Sequence, residues 1–234
     1  MTETKEQVRG TREQALKRRQ MQRKQALRRR RRILIASMIA IVVAIVLLVV
    51  LIVRSLGKHG DETAFTLQED GSVTFEEVVE FDSATYNKAE MKKAVKERVN
   101  AYHGSGSVKL DSVSASKGKA YATITYDSVA TYSEFTGYTA FCGTIADARE
   151  AGYTFDLTFE EVAEGHIGEI VSASDVVSDE NRKVLILQEN VVVHLPGDVD
   201  YITTNGINVR DAKTVEIVPV NENTDAAVAA YIIY

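Results

Sequence analysis

The 234-residue chain carries 28 Lys/Arg against 33 Asp/Glu, and the resulting net charge of -5 averages two opposite regions. Residues 1–32 hold thirteen Lys/Arg and three Glu, about +10, whereas residues 54–234 hold fifteen Lys/Arg and thirty Asp/Glu, about -15; so sharp a split indicates two environments rather than one. Two Pro and 14 Gly argue against a low-complexity stalk, and a lone cysteine, Cys142, excludes an internal disulfide. A folded domain of this size without disulfides rests on its apolar core alone, which is a bacterial pattern more than that of a small secreted eukaryotic module.

Thr11 to Arg32 is rich in Gln, Lys, Arg, Ala and Leu, all good helix formers. Its apolar residues Leu16, Met21 and Leu27 are too few for a face that lies in a membrane. The arm reads as a topology determinant in contact with anionic lipid headgroups, worth about 1 kcal/mol per Lys or Arg near the surface. A docking tail for a cytoplasmic protein is the alternative. With no aromatics and no folded module, nucleic acid is not an expected partner.

Ile33 to Val53 is 21 residues without a charge, a Gly or a Pro, and Ser37 is its one polar residue. As a helix it rises about 31 Å, which matches the hydrocarbon core of a bilayer, and a helix satisfies its own backbone in lipid. The run is longer than the apolar part of a cleaved signal peptide, and no small-residue cleavage pattern follows. No lipid-acceptor Cys follows it either; the chain continues Arg54-Ser-Leu-Gly-Lys-His59. Arg28, Arg29, Arg30, Arg31 and Arg32 flank one end, against Arg54 and Lys58 on the other. The positive-inside rule therefore places the N-terminus in the cytoplasm and the C-terminal part outside the cell membrane.

Residues 54–63 read as a short linker and 64–234 as one extracytoplasmic domain. Phe65–Gln68 and Val73 onward to about Phe81 form a hairpin around Asp70-Gly71. Asn87 with Glu90 marks the start of a helix carrying Met91, Val95, Val99 and Tyr102 on one face, and Gly104–Ser107 ends it. Strands are expected at Val108–Ser114 and Lys119–Tyr126. Helices are expected at Val129–Phe135 and at Ile145–Ala151, the latter with Thr144 as N-cap, Asp147 completing a capping box and Gly152 as stop. Tyr153–Val162 reads as extended. Strands then follow at Val184–Leu187, Val191–Leu195, Val199–Thr203, Ile207–Arg210, Thr214–Val218 and Ala227–Ile233, with Asn205-Gly206 as a hairpin turn. No regular alternation of strand and helix appears, so the expected class is α+β with mainly antiparallel sheet and a few short helices behind an N-terminal transmembrane helix.

Several runs, among them Tyr86-Asn-Lys-Ala-Glu-Met-Lys-Lys, Ala122-Thr-Ile-Thr-Tyr126-Asp-Ser, Phe141-Cys-Gly-Thr-Ile-Ala-Asp-Ala-Arg-Glu-Ala-Gly-Tyr153 and the terminal Ala-Tyr231-Ile-Ile-Tyr, carry a resemblance. Residues 64–234 resemble a group of uncharacterised lipoproteins and membrane-anchored proteins of anaerobic, clostridia-like Gram-positive bacteria. The shared runs are fold-like rather than catalytic, and the resemblance implies no activity, cofactor or site residue. This chain departs from the lipoprotein members in having no acceptor Cys, so its helix takes the place of the lipid.

Chemistry is sparse in the sequence. His59, His103, His166 and His194 have no ligand partners at metal-binding spacing. Cys142, before a capped helix, reads as a buried structural thiol. The pairs Glu76-Glu77, Glu160-Glu161 and Asp179-Glu180 alternate faces if extended and so make no acid/base couple. Ser105 and Ser107 lack the frame of a nucleophile elbow. Asp198-Val-Asp200 shows no partner in sequence. The ten Tyr either close core edges or form a stacking face for glycan or peptide. No catalytic, cofactor or metal residue is assigned. The expectation is a non-enzymatic envelope module with a cell-wall, glycan or protein partner; the alternatives are a transmembrane regulatory component signalling through its basic arm and an enzyme with a scattered site.

Overall fold

The computed structural model describes residues 60–102, 106–204, 206–220 and 228–234. The span Ile33–Val53, the arm with Arg28 to Arg32, and His59, His103, Gly104, Ser105, Asn205 and Ala227 lie outside the described residues. Among the described residues no helix is long and apolar enough to cross a membrane.

The domain is α+β with largely antiparallel sheets, as its sequence pattern implies. β1 (Ala64–Leu67) and β2 (Val73–Glu80) form the first hairpin. Its turn differs from the expected two-residue form. Leu67 pairs with Val73, so five residues make the loop, and Asp70 accepts from the Ser72 amide at 2.9 Å while Gly71 takes φ +84°. α1 (Lys88–Ala101) starts at Asn87, whose side chain accepts from the Ala89 and Glu90 amides. β3 (Val108–Ser116) and β4 (Lys119–Tyr126) follow. They are joined by Lys117 and Gly118, both at positive φ, the geometry of a type I′ hairpin.

α2 (Val129–Thr136) is capped by Ser128, and β5 (Ala140–Thr144) leads into α3 (Ile145–Glu150). Thr144 and Asp147 form the expected capping box, with both reciprocal hydrogen bonds present. The expected extended run from Tyr153 narrows to β6 (Phe159–Ala163), which pairs with β7 (His166–Val171). The pattern underestimates β7 because nearly all of it is exposed, so it has no apolar alternation to read. α4 (Ala173–Val176), β8 (Lys183–Leu187), β9 (Val192–His194), β10 (Tyr201–Thr203), β11 (Ile207–Asp211), β12 (Thr214–Ile217) and β13 (Ala230–Ile233) complete the order.

Two sheets result, β11-β12-β9-β1-β2-β4-β3 and β5-β8-β13-β10-β6-β7. β1 and β9 run parallel, and among the described residues every other strand pair is antiparallel. The turn expected at Asn205-Gly206 does not pair the strands that flank it. β10 bonds to β6 and β13, and β11 bonds to β12, so the chain passes from one sheet to the other there. Gly206 at φ +77° supplies the sharp corner.

The faces of the second sheet explain how the layers stack. Leu185, Leu187, Ala230 and Ile232 point into a core shared with Phe65, Val73 and Val193 of the first sheet. Their neighbours Val184, Ile186, Tyr231 and Ile233 point the other way, into a second core closed by Ile145, Ala148 and Val176 of the short helices. Period-two alternation thus feeds two cores from one sheet. β8 and β13 are apolar at every core position because neither face meets water. A one-residue slip would exchange the two sets, which differ in size and shape.

Candidate functional site

The row Val73, Phe75, Glu77, Val79 lies on one face of β2 because alternate residues share a face. Val73 and Phe75 are buried, whereas Glu77 and Val79 are exposed. The same face therefore begins between the sheets and runs out from under the second one. The space it leaves is a cleft of about 570 Å³, bounded by Thr63, Glu77 and Val79 on one side and by Tyr138, Thr139 and Glu189 on the other.

Local structure fixes each wall. The Thr63 hydroxyl accepts from the Val78 amide at 3.1 Å, which ties the start of β1 to β2. α2 stops at Gly137, which takes φ +82°, and the Ser133 hydroxyl donates to the Tyr138 carbonyl at 2.6 Å. These contacts hold Tyr138 at the rim, where its side chain stays 48 % exposed. The Gln188 amide donates to the Thr139 carbonyl at 2.9 Å, and Glu189 follows it at the end of β8.

The Glu189 carboxylate reaches inward and accepts the Tyr132 hydroxyl. Tyr132 is fully buried, with its ring 5.0 Å from Phe65 and 5.2 Å from Tyr126 in edge-on contacts. A buried phenol needs an acceptor, and Glu189 is the acceptor it has. Burial is the main force on the carboxyl: it raises Glu189 from 4.5 to about 6, the Tyr132 hydrogen bond opposes that shift, and the charge of Glu77 adds to it. The Tyr132 hydroxyl is pushed up by burial first and by the adjacent carboxylate second. An ionisable group displaced toward neutrality in a cleft, beside a second carboxylate, is a recognised mark of a functional site. Among the described residues no Lys, Arg or His lines this cleft.

Among the described residues, those singled out from sequence are not brought together. Cys142 is partly buried, with its sulfur 3.4 Å from the Tyr234 hydroxyl; burial raises Tyr234. His194 meets the Thr214 hydroxyl at 3.1 Å, and His166 is exposed on β7. Asp198 and Asp200, partnerless in sequence, do have partners: Lys213 at 3.8 Å and Arg182 at 3.9 Å. Glu180 pairs with Arg149. Glu76 and Glu77 do face opposite ways, and only Glu77 enters the cleft. The Tyr do not form one stacking face: Tyr126 and Tyr132 are core, and Tyr138 stands alone on the cleft. Among the described residues no group of three or more His, Cys, Asp or Glu is placed to hold a metal ion.

Neither Glu189 nor Tyr132 stands out in the sequence. The available signal was the polar triplet Gln188-Glu189-Asn190 set between the apolar runs Val184–Leu187 and Val191–Val193. A carboxylate confined between two buried strands must either turn to solvent or find an interior donor. Compared with protein-family models, with curated proteins and with solved structures, the chain matches none of them.

Proposed function

We propose that the chain is a single-pass membrane protein of the cell envelope whose outer α+β domain is a non-enzymatic binding module, with the Glu77–Glu189 cleft as its ligand site. The uncharged run Ile33–Val53 and the Lys/Arg excess before it support the anchor and its orientation. The observation that carries the binding reading is the cleft, where an inward-facing row of β2 emerges from cover and meets a carboxylate held on a buried phenol. The arm and anionic headgroups then fix one end while the acidic domain meets a cell-wall, glycan or protein partner outside. On the likeness of residues 64–234 to clostridia-like envelope proteins, the cell is Gram-positive.

Topology is tested by placing a thiol at Glu69, an exposed turn residue, in a Cys142→Ala background. Intact cells should react with an impermeant maleimide. Labelling that requires lysis would reverse the orientation. One observation favours a second, catalytic reading: a carboxyl at about 6 is suited to donate a proton near neutral pH. Turnover of glycan or peptide substrates by the purified chain that Glu189→Gln abolishes would establish it over the binding reading.

A further inference from the structure

We propose that the cleft takes a primary ammonium group on an alkyl stem, presented as a lysine side chain of a peptide. The inference rests on reading the cleft as a ligand site and names the chemistry of its ligand. Four observations converge on it. Glu77 and Glu189 both face the cleft, and among the described residues no basic side chain lines it. Two like charges sharing a half-enclosed space repel, and a ligand cation relieves that repulsion. Tyr132 occupies Oε2 of Glu189, which leaves that carboxylate fewer acceptor positions for the two-point fork of a guanidinium. An ammonium needs only a single acceptor point, which leaves it the better match. At the rim, Tyr138 and Val79 are each 48 % exposed and flank the entrance. An aromatic ring and an isopropyl group suit methylenes, and the ring face also attracts a cation. Thr139, also in the lining, adds a hydroxyl for a remaining ammonium proton.

The test is saturation-transfer NMR on the full chain in detergent micelles at pH 7.5. Nα-acetyl-lysine N-methylamide is the probe, and the norleucine and arginine analogues are controls. Transfer to the lysine ε-methylene is expected, with little to norleucine and less to arginine. Glu77→Gln, an exposed position that leaves both cores intact, should weaken the lysine probe about fivefold, the size of a half-exposed ion pair. Lowering the pH to 5 should weaken it further as Glu189 takes up its proton. Equal transfer to norleucine and lysine, or an affinity indifferent to both Glu77→Gln and pH, overturns the ammonium assignment. Displacement of the lysine probe by calcium at equimolar concentration does so too, because it makes the pair a metal site. Arginine or norleucine binding that Tyr138→Ala abolishes would leave the cleft a binding site for another chemistry. Silence of all three probes removes the cleft itself.

Discussion

Replacing Glu189 by Gln keeps an acceptor for the Tyr132 hydroxyl but removes the charge that burial and Glu77 oppose. In the folded chain this carboxyl titrates at about 6 instead of 4.5. Between those values the native state holds a proton that the unfolded chain has released, so native stability falls as pH rises through that window. The whole shift corresponds to about 2 kcal/mol. The side chain is only partly buried, and solvent screening reduces the cost at neutral pH to about 1 kcal/mol. The Gln variant carries no such cost. Urea unfolding of residues 60–234, which contain both cores, should show wild type and variant of nearly equal stability at pH 4.5. At pH 7.5 the variant should be more stable by about 1 kcal/mol, or about 3 °C in midpoint for a domain of this size. A variant less stable at pH 7.5 would refute the reasoning, since it would mean that the charged form is favoured by contacts that outweigh its desolvation. A difference that does not change with pH would refute it as well.

Tyr132→Phe removes the donor to Glu189 and should cost about 1–2 kcal/mol at pH 7.5, with a smaller loss at pH 4.5, where the acceptor is uncharged; parallel urea curves at the two pH values check it. Thr144→Ala breaks the capping box of α3 and should cost about 1 kcal/mol by the same assay. Gly165 takes φ +78°, and a Cβ there would sit 2.8 Å from the Ala212 amide nitrogen. Gly165→Ala should therefore lower the thermal midpoint by several degrees, at a cost of roughly 2 kcal/mol, whereas Gly152→Ala, with open space around it, should cost less in the same calorimetric scan.

The sequence was most readable where one element's local chemistry decides its structure. Asn87 and Thr144 announce their helices because a side chain there can satisfy amides that the helix leaves open. β8, β12 and β13 are legible within a few residues because strands buried on a sheet face must be apolar. β7 leaves no such pattern because an exposed edge strand has no such constraint. Asn205-Gly206 misled for a different reason. A Gly at positive φ is needed both by a tight hairpin and by a corner between sheets, and only the distant partners of β10 and β11 distinguish the two. The cleft was illegible in the same sense. Glu77 and Glu189 are 112 positions apart, and nothing local to either says that β2 outruns the sheet above it or that Tyr132 waits beneath.

The position of β13 has a consequence for how the domain comes into being. β13 bonds to β8 on one side and to β10 on the other, yet it follows both in chain order. Until residues 230–233 arrive, these two strands present raw edges and a row of uncovered aliphatic side chains, and neither core can close. The domain therefore cannot be assembled piecemeal as the polypeptide is delivered. A nascent chain stalled shortly before residue 230 should be a protease-sensitive, aggregation-prone client that a holdase must shield.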